Sequence, residues 1–245
     1  MRILFFDLET TPNLVWVWGL LNQNISLAQI VKPTEVMCFG ARWSDSKKVI
    51  FKSIHHDGKE AMLKELHRLM DEADYISGWN SRAFDHKHIN REFIENGLQP
   101  PSPTKDLDLM ATNKKNFRFP SNKLDYVAKA LGVGEKVKHS GFPLWTECMA
   151  GNKKAWAEMK KYQIQDVNLL VDLYEKFKPW MDNQHPNAAI YNGKPESCIV
   201  CGSEHLTVRG RSYTSTGSYP RYQCQSCKKW QRSKSSTRTN QYRHI

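Results

Sequence analysis

The 245-residue chain has no apolar run of the ~18 residues needed to cross a bilayer, and its start lacks the charged-then-apolar pattern of a secretory signal. The expected location is the cytoplasm, with no membrane partner. Cysteine is scarce. Six residues, four of them crowded near the end, are too few for a disulfide scaffold and in a reducing compartment point to metal or to burial. Glycine (13) and proline (11) are modest and 40% of residues are hydrophobic, which excludes a disordered chain and allows one substantial core plus a small module. Acidic residues are also in short supply: 25 Asp and Glu against 36 Lys and Arg, a formal charge of +11. The imbalance is uneven, because from Ile190 to Ile245 ten Lys and Arg meet only Glu196 and Glu204, a balance of +8. A basic terminal module on a nearly neutral larger domain predicts a polyanionic partner, most commonly nucleic acid, although a merely solubilising tail would show the same charge.

What is present reads as α/β. "RILFFDLET", "NLVWVWGL", "EVMCFGARW" and "KVIFKSI" predict four strands. The segment "DGKEAMLKELHRLMDEA" places Met62, Leu63, Leu66, Leu69 and Met70 at helical spacing, and "DYISGWN" returns to strand. Further helices are expected at "DHKHINREFIENG", closed by Gly97, at "KLDYVAKALG", closed by Gly132, and in a long run from Asn152 to a stop at Lys178-Pro179. Strands alternating with helices predict a sheet with helices packed against it. The expected division is a catalytic domain over 1–182, a linker over 183–195, a cysteine module over 196–232 and a flexible basic tail over 233–245.

Asp7 and Glu9 close the first strand. Residues two apart project from one face of a strand, so these carboxylates stand side by side while Leu8 points away. Like charges so close call for cations, and clustered carboxylates suit Mg²⁺ or Mn²⁺; a strand running into the polar loop "ETTPN" would also account for them. Asp85 follows the strand "DYISGWN" at a helix start, where an Asp can simply cap. Tyr162 and Asp166 are four apart on the long helix and share a face.

"FDLET", "NSRAFD" and "YQIQD", in that order and context, resemble the three motifs of the DEDD superfamily of 3′-to-5′ exonucleases, which have a ribonuclease H-like fold and include polymerase proofreading domains. The resemblance covers residues 1 to 180. It matches Asp7, Glu9, Asp85 and Asp166 to the four metal-binding acids and Tyr162 to the tyrosine branch; the histidine branch would need His where Lys161 stands. It implies a mixed α/β sheet flanked by helices and hydrolysis of phosphodiester bonds from a 3′ end to nucleoside 5′-monophosphates. The expected substrate is single-stranded or frayed DNA, with RNA, or an idle nuclease fold acting as a replication accessory, as alternatives. It further implies two Mg²⁺ or Mn²⁺, with Asp7 bridging both, Glu9 and Asp166 on the one that activates water, Asp85 helping to place the other and Tyr162 orienting the water. Structure-specific endonucleases of the same broad fold share such acid clusters, but the motif contexts favour trimming from an end. Freestanding proteins of this kind resemble bacterial or phage replication and repair factors, so a replication or repair protein is a possible partner. Two metals about 3.5–4 Å apart can both activate water and stabilise the departing oxygen, and a tyrosine of ordinary pKa about 10 is better suited to orienting water than to deprotonating it.

Other residues are more ambiguous. Asp106 and Asp108 repeat the two-apart spacing, which a polar edge strand explains equally; His86, His88 and His139 could touch phosphate or be satisfied in the fold. "ALGVGEK" follows a helix rather than a strand and reads as a helix stop, not a dinucleotide fingerprint. Trp16, Trp18, Trp43, Trp79 and Trp145 include possible base platforms, although most tryptophans are core.

The strongest second signal is "CIVCG" with "CQSCKKW". Cys198, Cys201, Cys224 and Cys227 form two CxxC pairs, the ligand count of one structural Zn²⁺ in a ribbon-like module, with redox pairs as the alternative. So small a module needs such a staple. Arg209, Arg211, Arg221, Lys228, Lys229 and Trp230, together with Asn80 beside the acids, are the expected nucleic-acid contacts; a protein-docking role for the module is the alternative. Cys38 and Cys148 lie in apolar surroundings and are expected as buried thiols.

Overall fold

The computed structural model describes residues 1–182 and 185–239, which separate into two compact units, Met1–Tyr174 and Glu175–Ile245. In chain order the elements are β1 (Ile3–Thr10), β2 (Leu14–Val15), β3 (Ile30–Lys32), β4 (Val36–Trp43), β5 (Val49–Ser53), α1 (Lys59–Asp71), β6 (Tyr75–Ser77), α2 (Asp85–Glu95), β7 (Lys105–Asp106), α3 (Leu109–Asn116), α4 (Leu124–Ala130), α5 (Phe142–Met149) and α6 (Lys153–Phe177). There follow α7 (Ala188–Tyr191), β8 (Leu206–Tyr213), β9 (Gly217–Cys224), β10 (Trp230–Arg232) and β11 (Arg238–Thr239).

The first unit is built on a mixed five-stranded sheet, order β5-β4-β1-β6-β7, antiparallel at β5/β4/β1 and parallel at β1/β6/β7. Alternation along β1 explains how it sits between layers. Leu4, Phe6 and Leu8 join the α1 and α2 side chains Met62, Leu66, Ile89 and Phe93 in one core, whereas Phe5 packs edge-on against Tyr174 of α6 on the other face. A second cluster there joins Met37 and Cys38 of β4 to Leu144 and Cys148 of α5 and Trp156, Met159 and Tyr162 of α6. Cys38 and Cys148 are buried free thiols, as expected. The long helix approaches closely because residue 40 is glycine: a Cβ there would meet Gln163 and Val167 of α6 at 3.0 Å.

Two features anchor the elements that bear the acids. Glu92, with no exposure, accepts from the Val36 backbone N–H (2.9 Å) and is paired with Lys59 (3.0 Å) and Arg91 (3.3 Å), which ties α2 to the start of β4. Such a charge persists in the interior only because it is paired and hydrogen-bonded. Gly97 and Gly132, with φ of 73° and 63°, follow α2 and α4, as the helix-stop reading expects.

The expected strand "NLVWVWGL" does not join the main sheet. Only Leu14–Val15 pairs, with β3, in a separate two-stranded ribbon, and Trp16, Trp18, Leu20 and Leu21 are exposed. The position beside β1 belongs to β4, so an apolar run without alternation finds no sheet face to cover it. Three short elements, β3, α3 and α5, are not foreseen by the sequence reading, whereas β7 is a polar edge strand of the kind that reading offers for Asp106.

In the second unit β9 pairs with β8 along one edge and with β10 and β11 along the other. The segment expected as a flexible tail over 233–245 therefore continues the ribbon as far as Thr239, because the edge of β9 beyond β10 is open to the next stretch of chain: Thr237 N–H donates to the Ser218 carbonyl (3.0 Å) and Ser233 N–H to that of Pro220 (2.9 Å). Residues 240–245 lie outside the described residues. The expected linker over 183–195 likewise holds α7, with Asn187 accepting from the Ala189 and Ile190 N–H groups as its cap and Ala188 donating to the Ile199 carbonyl (2.8 Å). Asn183 and Gln184 in that segment are outside the described residues.

Candidate active site

Asp7 and Glu9, on the face of β1 turned toward α6, meet Asp85 from the first turn of α2 and Asp166 from α6 in and beside a cleft of about 500 Å³. Asn80, Trp79 and Lys136 also line this cleft. Asp85 is not the cap of α2. Phe84 holds that position without a side-chain bond, while the buried Asp85 carboxylate is stabilised by its own backbone and by the Leu8 backbone of β1. Gln163 Nε2 donates to Asp7 Oδ2 (3.2 Å), and Trp145 Nε1 donates to Glu9 Oε2 (3.1 Å). Asp166, 1% exposed, accepts from Lys136 Nζ at Oδ2 (2.5 Å); its Oδ1 is buried with no partner. Tyr162 is beside it, its hydroxyl accepting from Lys136 Nζ (3.0 Å) and its ring against His139 and Trp145.

The electrostatics follow from crowding in a dry place. Burial, then the Asp85, Asp166 and Glu9 charges, hold the Asp7 carboxyl well above its ordinary range. Burial lifts Glu9 to about 7, with Lys136 opposing, and lifts Asp85 to about 7 against its backbone hydrogen bonds. Asp166 is raised by burial despite Lys136. Burial and the neighbouring carboxylates also keep the Tyr162 phenol protonated far above neutral pH. The metal-free protein thus holds protons that the unfolded chain gives up between about pH 4 and 7, so its stability should fall as pH rises through that window. Thermal midpoints in buffer free of Mg²⁺ and Mn²⁺, with zinc retained, should be lower at pH 8 than at pH 5, and Mn²⁺ should raise the pH 8 value. A flat profile would contradict this electrostatic picture.

The four acids suit hard divalent cations: they are oxygen donors, mutually repulsive, and include an unpartnered buried Asp166 oxygen. They are more spread than the cysteines. Among the described residues only the sulfurs of Cys198, Cys201, Cys224 and Cys227 form a group of three or more candidate ligands all within 4.8 Å of one another. Two of the sulfur separations, Cys198 to Cys227 and Cys201 to Cys224, are 3.6 Å, with no disulfide; about 3.8 Å is the edge of a tetrahedron with Zn–S bonds near 2.3 Å. This cluster could bind zinc.

The remaining expected residues divide. Asp108 caps α3 by accepting from Ala111 N–H (3.0 Å) and also accepts from Asn80 N–H (3.1 Å). Asp106, on the edge strand β7, accepts from Ser81 (3.0 Å) and lies 3.3 Å from His86. His88 packs on Phe84. Trp43 is buried, Trp79 donates to the Asn122 carbonyl (3.0 Å), and Trp16 and Trp18 are exposed on the outlying ribbon. In the second unit Arg209, Arg221, Lys228 and Trp230 are exposed, with Arg221 stacked 4.8 Å over Trp230. Arg211 instead binds Ser218 and Thr237, and Lys229 reaches the Met181 carbonyl. Sequence reasoning missed Lys136, Gln163 and Trp145 as partners of the acids. The only local hint was Gln163 lying next to Tyr162.

A mixed sheet of this order with an acid-lined cleft defines an RNase H-like α/β protein. Residues 4–178 match the RNase_H_2 family of the RNase_H superfamily, and the chain belongs to that superfamily. None of the curated proteins matches it in sequence. Among solved structures it is similar to the family B DNA polymerase from the hyperthermophilic archaeon Pyrobaculum calidifontis, with a TM-score of 0.55 and 15% identity over 88% of this chain and 31% of the polymerase. The chain thus spans less than a third of that polymerase, and the likeness is one of fold. Among the described residues no helix is long and apolar enough to cross a membrane.

Proposed function

We propose that the protein is a divalent-metal-dependent 3′-to-5′ exonuclease acting on single-stranded or frayed DNA ends. The observation that supports this most directly is the convergence of Asp7, Glu9, Asp85 and Asp166 from β1, α2 and α6 on one cleft, with the Tyr162 hydroxyl beside Asp166. Asp7, Glu9, Asp85 and Asp166 would hold two Mg²⁺ or Mn²⁺, which when bound supply an activated water and charge stabilisation for the departing 3′ oxygen. The chain's own residues do the rest. Trp145 and Gln163 fix the rotamers of Glu9 and Asp7. Tyr162, held protonated, keeps a hydroxyl available to orient water and is no general base. Asn80 and Trp79 line the cleft where a terminal nucleotide would sit. The cysteine module would hold one structural Zn²⁺ and grip the strand through Arg209, Arg221, Lys228 and Trp230, stacking and phosphate contact being the sequence-tolerant means of holding single strands.

The test is degradation of single-stranded DNA and RNA labelled at either end, with Mg²⁺ or Mn²⁺. A 5′-labelled DNA should shorten stepwise and a 3′-labelled one should release labelled mononucleotide at once. Internal fragments as first products would favour an endonuclease, preferred loss of RNA an exoribonuclease, and no cleavage an accessory role.

A further inference from the structure

We propose that Lys136 is a displaceable internal counter-ion of the carboxylate cluster: its ammonium holds Asp166 in the metal-free protein and leaves that oxygen when a divalent cation takes it. This rests on the metal-dependent reading above. Lys136 Nζ stands 2.5 Å from Asp166 Oδ2, 3.0 Å from the Tyr162 hydroxyl and 5.0 Å from the Tyr162 ring centre. Its charge acts on Asp7 and Glu9 as well as Asp166, while Lys123 lines the same cleft without an ion pair to these acids among the described residues. His139, against the Tyr162 ring, also faces this group, and Asp125 accepts from the Lys136 backbone N–H (3.0 Å).

Two kinds of ion pair fit such distances, a permanent one and an exchangeable one, and the surroundings favour exchange. The two partners are held very differently. Asp166 is 1% exposed on the long helix α6, whereas the Lys136 side chain is 29% exposed, lines the cleft, and stands on a stretch between α4 and α5 that has neither helix nor strand. The ammonium can therefore withdraw into water without unpacking a core, while the carboxylate cannot follow it. Charge balance points the same way. Lys136 acts on three of the four acids, Asp166, Asp7 and Glu9, and one ammonium answers only part of the charge that the cluster carries once its protons are lost, whereas a doubly charged ion on the same oxygens answers more of it. A carboxylate can hold an ion and an ammonium at once, but with little water between them the two like charges repel across Asp166, so binding of an ion at that carboxylate weakens the hold of Lys136. The same ammonium offsets part of the repulsion among the buried acids before metal arrives, the protons they hold offsetting the rest, and the second Asp166 oxygen remains without a partner. Lys136 is thus a positioning residue: it holds Asp166 and Tyr162 in place and competes with the incoming ion.

The full zinc-loaded chain, without nucleic acid, provides the test. Mn²⁺ binding at pH 8 is followed by the resonance of free Mn²⁺ for wild type, Lys136→Met and Lys136→Arg. Lys136→Met should bind Mn²⁺ roughly tenfold more tightly, since no internal cation must be displaced, whereas Lys136→Arg should stay within about threefold of wild type. The metal-free midpoint of Lys136→Met should fall below wild type and its Mn²⁺-loaded midpoint should not. If Lys136→Met is too unstable to purify, the wild-type protein still decides: with ¹³C-labelled lysine, saturation with Mg²⁺ should shift the Lys136 side-chain signal, assigned by its absence in Lys136→Arg. Wild-type Mn²⁺ binding with unchanged or weakened affinity in Lys136→Met, or no Lys136 shift with Mg²⁺, would overturn the exchange and leave the metal reading standing. Absence of Mn²⁺ binding to wild type and variants alike would overturn both.

Discussion

Asp7→Ala is expected to give a folded protein that binds single-stranded DNA and does not hydrolyse it, with the rate down at least about 10³-fold, beyond the ~10²–10³ that removal of a single stabilising donor costs. Asp7 is the acid that feels all three others, its charge opposed by Asp85, Asp166 and Glu9 in that order. Removing it deletes the proposed bridging ligand. The fold should tolerate the change because the carboxylate is held by a hydrogen bond from Gln163 alone among the described side chains, and its removal relieves repulsion among buried acids. The metal-free thermal midpoint at pH 8 should therefore be no lower than that of wild type. A purified Asp7→Ala protein that cuts at the wild-type rate would sink the metal-dependent mechanism, and one that fails to fold would refute the electrostatic account of the cluster.

Removal of zinc should unfold the cysteine module and leave hydrolysis of short oligonucleotides intact. The apolar core of that module consists of Cys198, Val200 and Cys224 with partly buried Ile199 and Leu206, and two of those buried residues are themselves proposed ligands. Zinc contributes roughly 10–16 kcal/mol to the folding of comparably small domains, far more than so few apolar side chains can supply. Hydrogen exchange should thus become fast over β8 to β10 in the Cys198→Ser/Cys224→Ser protein while the sheet around β1 remains protected. Affinity for single-stranded DNA should fall and its salt dependence flatten, by roughly 0.7 in log–log slope for each phosphate that the module no longer neutralises. Activity is compared at saturating substrate with Mg²⁺ present. Equal affinity and equal salt slope in wild type and variant would assign the module to protein docking instead.

Periodicity in the sequence determined the parts of the site that lie on regular elements. Asp7 and Glu9 share a face because a strand repeats every two residues, and Tyr162 and Asp166 share one because a helix turns in under four. The spacing of the two CxxC pairs marks four candidate ligands, which the fold then gathers within 4.8 Å of one another. The tertiary structure alone decided which distant side chains attend those acids. Lys136 is one of 36 basic residues and lies on an irregular stretch, so no period marks it, yet the packing of α6 against the sheet sets it on Asp166. Trp145 reads from the sequence as a base platform or a core aromatic, and only α5 brings its indole N–H to Glu9. Composition likewise treats every basic residue of the ribbon alike, and only the pairing of β8, β9 and β11 turns Arg211 inward to Ser218 and Thr237 while leaving Arg209 and Arg221 outside. The apolar run from Leu14 to Leu21 has strand chemistry but no free sheet edge, since β4 holds the position beside β1, and competition for that edge is settled by the whole fold and not by the run itself.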